Sequence, residues 1–243
     1  MDTIDSLLNS LHTDAPLRQV LVGSFWTAVV LDTEPLQCGL ASTLRGGTHE
    51  AGPPVPEAGH LLERSGRDLA EWLRSPSILR ASIGMAALNA LLEVDEAACT
   101  QVNAENVILQ RAAGSQVAIV GHFPFVERVR QVADTCWVLE LLPRDGDLSA
   151  EDAVKVLPQA DVVALTGTSL LNHTFDDLIA LCRPDAFVVL LGASAPLSPL
   201  LLERGLDAIS GTLVVDVPAA LQAVGQAATF RQIPGKRLLT MMR

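Results

Sequence analysis

Three times after residue 115 the sequence runs through a short apolar stretch and stops at a glycine: VAIVG at 117–121, VVALTG at 162–167 and VVLLG at 188–192. Two further runs, Thr135–Leu142 and Ile209–Val215, share this grammar. Between the runs lie segments with helical spacing, at 123–133, 149–157, 173–182, 197–204 and 217–226. A strand that is apolar without alternation is buried on both faces, which is the signature of a parallel sheet covered by helices. Right-handed crossovers then make residues 98–243 a Rossmann-like, doubly wound α/β domain.

The first 97 residues read differently. Ile4, Leu7, Leu8 and Leu11 recur at helical spacing, predicting a short amphipathic helix. Arg18–Leu31 reads as one strand, Asp32–Pro35 as a turn and Gln37–Leu44 as its hairpin partner. Arg45–His60, RGGTHEAGPPVPEAGH, has too much Gly and Pro for a helix or a central strand and is expected to be a long loop. Helices follow at Gly66–Ser75, closed by Pro76, and at Ser77–Glu93, with Ser77 as N-cap. This is a small α+β domain, residues 1–97, placed before the larger one; 243 residues accommodate two such units.

Charge narrows the partners. Seventeen basic residues against 28 acidic leave a net −11, which gives no footprint for a phosphate backbone, so nucleic acid is not an expected partner. The same field favours cations, although acidity also serves solubility. No apolar run approaches the roughly 18 residues of a membrane span. The stretch MDTIDSLLNSLHTDAP lacks the basic region of a signal peptide, so a cytoplasmic location is expected. Cys38, Cys99, Cys136 and Cys182 show no paired spacing and read as reduced thiols. The 49% apolar content leaves room for a homodimer.

Ligands of open α/β sheets bind outside the carboxyl ends of the strands, which turns the strand-end turns into site candidates. They are Gly121-His122-Phe123-Pro124, Glu140, Thr166-Gly167-Thr168-Ser169, and Gly192-Ala193-Ser194-Ala195-Pro196. A dinucleotide fingerprint is only half present. Glu140 stands where a ribose-binding acid would, but His122, Phe123 and Pro124 fill the space a pyrophosphate needs, so NAD(P) is not expected. His122 reads either as a metal ligand or proton carrier, or as a turn histidine bonded to nearby backbone. Glu140, embedded in CWVLELL, needs a partner or a ligand. Asn172 or Thr174 caps the helix that starts at Phe175, and Asp176 and Asp177 suit its N-terminus. Asn89, inside GMAALNALL, ties down a loop or faces the interdomain cleft, and Gly84 on the same helix implies close backbone approach. Cys38, Arg45, His49 and His60 are candidates for closing over that cleft. There is no HExxH, CxxC or GxSxG pattern.

The stretches SIGMAALNALL, VAIVGHFPFVERVR, DVVALTGTSLLNHTFDDLI and VVLLGASAPLSPLLLERGLDAISGTLV resemble a bacterial and archaeal family described as "putative heavy-metal chelation", and EAGHLLERSGRDLAEWLRS is similar to that family's smaller N-terminal part. The likeness runs over about residues 15–225. It implies an enolase N-terminal-like domain, a Rossmann-like domain and a site in the cleft between them. Its motifs carry over Asn89, Gly121, His122, Glu140, Thr166, Gly167, Thr168, Asn172, Gly192 and Ser194. No trio of His, Cys or carboxylate is close in sequence, so a metal shell is assembled from distant turns or the metal arrives already chelated.

Three functions compete on this reading. One is binding of a transition metal ion or its chelate, in metal homeostasis or in metallocofactor or metallophore metabolism, with His122 and Glu140 as ligands. Another is an enzyme on a small anionic or amino-acid-like metabolite, with Thr166–Ser169 and Gly192–Ser194 holding the anion and Glu140 or His122 as acid/base. The third is a non-catalytic interaction module.

Overall fold

The computed structural model describes residues 2–45 and 53–243. Its first half opens with α1 (Thr3–Asn9), capped by the Asp2 carboxylate on the Ile4 N–H. Three antiparallel strands follow, β1 (Leu17–Val22), β2 (Trp26–Leu31) and β3 (Gln37–Ser42), in the order β1-β2-β3. The expected single strand Arg18–Leu31 is therefore two. Gly23-Ser24-Phe25 turns the chain, with the Gly23 N–H donating to the Trp26 carbonyl at 2.9 Å. A Cβ at Gly23 would sit 2.6 Å from the Val224 carbonyl oxygen, so only glycine fits there.

α2 (Gly66–Ala70) and α3 (Ile78–Leu91) complete this half. The helix expected over Gly66–Ser75 is α-helical only to Ala70, and Glu71–Arg74 tightens into a 3-10 turn before Pro76. Close approach explains the glycines: a Cβ at Gly84 would meet the Leu73 nitrogen at 2.2 Å, and one at Gly39 the Ala86 oxygen at 2.1 Å. Of the Arg45–His60 stretch, residues 46–52, His49 among them, lie outside the described residues. From Pro53 onward it forms bends and turns.

The second half forms one sheet of β4 (Cys99–Thr100), β5 (Gln116–Val120), β6 (Thr135–Glu140), β7 (Leu148–Ser149), β8 (Val162–Thr166), β9 (Phe187–Leu191), β10 (Ala208–Val214) and β11 (Lys236–Met242). Its order is β4-β11-β10-β9-β8-β5-β6-β7. From β10 to β7 all neighbours are parallel; β11 is antiparallel to β10 and to β4. The helices are α4 (Ala104–Ala112), α5 (Val126–Arg130), α6 (Ala153–Val156), α7 (Thr168–Leu171), α8 (Phe175–Leu181), α9 (Leu200–Glu203) and α10 (Val217–Gly225). α4, α7, β4, β7 and β11 were not anticipated from the sequence; Thr168 and Ser169, expected in a turn, open α7.

Alternation along the strands assigns their two faces. Val117 and Ile119 of β5, with Val162 and Ala164 of β8, pack on α4 and α5. Ala118, Val163, Leu165, Val188 and Leu190 point the other way, into a core that continues through Phe175 and Leu201 to α1, α2 and α3. The small sheet is also buried twice. Val29 and Leu31 share the α3 core, whereas Ala28, Val30 and Leu40 pack with Val217, Ala220 and Val224 of α10. Every second position of β2 thus faces a different hydrophobic layer, which is why WTAVVL carries no polar alternation. Among the described residues no helix is long and apolar enough to cross a membrane.

Candidate functional site

Strand order decides where a ligand can enter. After β5 the chain moves to β6 and β7; after β8 it moves the opposite way, to β9 and β10. β5 and β8 are neighbours, so their following turns diverge and open a crevice at the carboxyl edge. A cleft of about 620 Å³ lies there. His122, Phe123, Pro124 and Phe125 form one side, Thr166, Gly167 and Thr168 the floor, and Gly192, Ala193 and Ser194 the next wall. Asn103–Glu105 at the start of α4, Thr212 of β10 and the Thr229–Arg231 turn complete it, and Trp26 and Ser42 close it from the small sheet.

Each turn is built for its place. Gly121, at φ 100°, swings the chain out of β5, and its N–H donates to the Leu139 carbonyl at 2.9 Å. Glu140 then holds the turn: Oε1 accepts the His122 N–H at 2.7 Å, and Oε2 accepts the Leu141 N–H at 3.2 Å. The expected partner of Glu140 is thus backbone, and the residue does not line the cleft.

The His122 ring takes its orientation from Asp147, just before β7. Nδ1 lies 3.0 Å from Asp147 Oδ2, and the Asp147 side chain has no solvent exposure. Arg130 and the Arg144 N–H also donate to this carboxylate, at 3.4 and 3.3 Å. Burial pushes the Asp147 carboxyl up, but the hydrogen bonds from His122 and Arg144 and the charges of His122 and Arg130 outweigh it and hold it below its ordinary value. A buried carboxylate only accepts, so neutral His122 carries its proton on Nδ1 and leaves the Nε2 lone pair available. Sequence reasoning missed Asp147; a lone acid in the loop PRDGD carries no periodic signal.

The remaining turns are stitched to one another. Thr166 Oγ1 and Thr168 Oγ1 are 2.9 Å apart, and Ser169, buried, donates its hydroxyl to the Thr166 carbonyl at 2.8 Å. A Cβ at Gly167 would sit 2.5 Å from the Ala195 nitrogen, so this glycine lets two turns touch. Ser194 Oγ accepts the Ser42 N–H at 2.8 Å. Asn89 Nδ2 donates to the carbonyls of Leu40 at 2.9 Å and Ala193 at 3.2 Å, so its amide ties strand to turn and does not face the cleft.

The structure therefore brings His122, Thr166, Gly167, Thr168, Gly192 and Ser194 together in one cleft. Gly121, Glu140, Ser169 and Asn89 support it from behind. Asn172 lies apart, accepting from the Thr174 N–H and hydroxyl. His173 at φ 61° places Nε2 2.9 Å from the Leu73 carbonyl. His60 pairs with Glu63 at 2.9 Å, and neither it nor Arg45 nor Cys38 lines the cleft. Among the described residues, no group of three or more His, Cys, Asp or Glu could hold a metal ion. His122 and Glu140 in particular meet through a backbone N–H, which occupies the carboxylate.

Comparison with known proteins agrees with this architecture. A family model, DUF364, described as "Putative heavy-metal chelation", matches residues 103–243, more than half of the chain. The chain belongs to the DUF364 family. A second model with the same description, DUF4213, matches residues 4–92. An uncharacterized protein of Methanocaldococcus jannaschii is 29% identical over 165 residues, which is 64% of this chain and 64% of that relative's length. A DUF364-family protein of unknown function from Desulfitobacterium hafniense superposes with a TM-score of 0.85 at 24% identity, over 99% of this chain and 97% of the other. One from Pyrococcus horikoshii, also of unknown function, gives 0.81 at 18% identity, over 99% and 98%. At these identities the two structures speak to the DUF364 fold alone.

Proposed function

We propose that this DUF364 protein binds a metal that is already held by a small organic chelator, with His122 Nε2 taking one open coordination position. The observation that supports this is the donor set: a cleft of about 620 Å³, within the range of small-molecule sites, lined by a single oriented imidazole. A bare transition ion is held by three or four protein donors, which the described residues do not provide. The carboxylate–imidazole pair is the arrangement that orients metal-ligating histidines and raises their basicity. Metal homeostasis and metallocofactor or metallophore metabolism are the roles that suit such a binder, and the family description points the same way.

The test is calorimetric titration of metal-stripped protein with nickel, cobalt, copper and zinc, each as the chloride and as its 1:1 nitrilotriacetate complex. The complexes are expected to bind with Kd below about 10 μM and the chlorides more weakly, and His122→Ala removes the difference. Tighter binding of the chlorides, or an unchanged His122→Ala variant, overturns the proposal.

A second reading draws on the same pair. Imidazole backed by a buried carboxylate is also a general base, and the anionic-metabolite enzyme would use His122 in that role. It predicts loss of turnover, without loss of metabolite affinity, in His122→Gln.

A further inference from the structure

The charges around the cleft point to its ligand. Glu105 is neutralised by Arg128, with 2.5 Å between Oε1 and the guanidinium, and Asp147 by Arg130. Arg231 is left: it lines the cleft, is exposed, and makes no ion pair or hydrogen bond among the described residues. Its position is fixed by the first half of the chain. Trp26 Nε1 donates to the Ala228 carbonyl at 3.0 Å, and the Trp26 ring meets Phe230 at a centroid distance of 5.2 Å. Phe123 and Phe125, which also line the cleft, stack at 5.2 Å with planes only 10° apart. The Thr212 hydroxyl oxygen, buried in the wall, also lacks a partner among the described residues.

From this we infer that the cleft selects a small aromatic acid, its carboxylate gripped by Arg231 and its flat ring held between the two aromatic pairs. The inference rests on the cleft being the ligand site but not on the metal. The net charge of −11 disfavours anions at long range, but that field is screened beyond about 8 Å at physiological ionic strength, whereas a guanidinium contact is not. Arginine also presents two parallel N–H groups to a carboxylate and cannot be neutralised. A free guanidinium at the mouth works against a bare cation, in agreement with the missing donor cluster.

The experiment is a saturation-transfer NMR and calorimetric screen of metal-stripped, full-length protein. Its probes are pyridine-2,6-dicarboxylate, benzoate and 2,3-dihydroxybenzoate, each beside its neutral amide and its aminomethyl counterpart. The acids are expected to bind and the amides and amines to bind at least about tenfold more weakly. Arg231→Gln, with an unchanged thermal midpoint, lowers acid affinity by at least about tenfold, and Arg231→Lys restores part of it. Equal binding of amides or amines, absence of acid binding, or acid binding within about twofold in Arg231→Gln overturns the inference. His122→Ala separates the two proposals: it keeps the preference for acid over amide and lowers the affinity of the nickel-loaded dicarboxylate by at least about tenfold. Loss of acid selectivity with that nickel effect intact refutes the aromatic acid alone; acid selectivity without the nickel effect refutes the chelate alone.

Discussion

Asp147 Oδ2 reaches His122 Nδ1 across 3.0 Å from a position 25 residues further along the chain. Because the carboxylate can only accept, it selects the tautomer whose Nε2 is a free donor atom for a metal or a proton. Asp147→Asn offers an amide N–H in its place and favours the opposite tautomer. Chelate affinity is expected to fall roughly 10–100-fold, the usual size of a lost partner behind a metal-ligating histidine. Titration of the nickel nitrilotriacetate complex into the variant measures it.

The same residue gives an acid-side signature. A carboxyl whose folded pKa lies below its unfolded value, about 3.9, contributes stability that is complete above that value and is lost as pH falls through the folded one. The stability difference between the wild type and Asp147→Asn is therefore expected to be flat from pH 7 to about 5 and to shrink below about 4. Urea unfolding at a series of pH values reports it; a difference that grows on acidification contradicts the assignment.

Gly167→Ala and Gly192→Ala should separate two kinds of glycine. The added Cβ at Gly167 meets backbone at 2.5 and 2.6 Å, in the Ala195 nitrogen and the Ser194 carbonyl carbon. Overpacking of this kind costs about 3 kcal/mol, or roughly 6–12 °C of Tm for a chain of this size. Gly192 has φ 114° and nothing within 4 Å of an added Cβ, so its alanine costs only backbone strain, about 1–2 kcal/mol. Calorimetric scans of the two variants are expected to rank in that order.

Asn89→Ala should behave as a structural lesion. It leaves the carbonyls of Leu40 and Ala193 without their amide donor, which costs about 1–3 kcal/mol. Chelate affinity should drop with it, because the Ala193 turn is a cleft wall. Glu140→Gln, which keeps an acceptor for the His122 N–H, should hold affinity within about threefold, an outcome incompatible with Glu140 as a metal ligand.

Three of the four thiols should be inert while the chain is folded. Burial pushes Cys38 up to about 12, and Cys136 and Cys182 up to about 11, burial being the leading cause at each. At pH 8 almost none is thiolate, the form that reacts. Iodoacetamide followed by mass spectrometry should leave Cys38 unmodified in native protein and alkylate all four cysteines in guanidinium chloride.

The central strands were legible because each is buried twice, and burial on both faces leaves VVALT and FVVLL without polar alternation. Strand-end turns then located nine of the residues that line the cleft. The β1–β2 turn was hidden because Phe25 and Trp26 continue the apolar run across it. β11 was hidden because KRLLTMM has one β-branched residue and begins with two cations; its pairing with β10, not its propensity, makes it a strand. α4 carried a signal that went unread: Asn103 as N-cap, then Ala104, Val107, Ile108 and Ala112 at helical spacing. Asp147 and Arg231 had none, since each gains its role from a partner, or the lack of one, that only the folded chain reveals.

Asn89 and Ser42 grip the Ala193–Ser194 turn from outside the sheet that carries it, and Trp26 holds the turn that presents Arg231. A coding sequence split between Leu92 and Asn103 would release a second fragment with β5, β8 and β9 intact but with two of its cleft-lining loops untethered. Recombination could move either half to a new neighbour, yet neither would take the pocket with it. Inheritance of the site requires that both halves stay on one transcript or find each other again as separate chains.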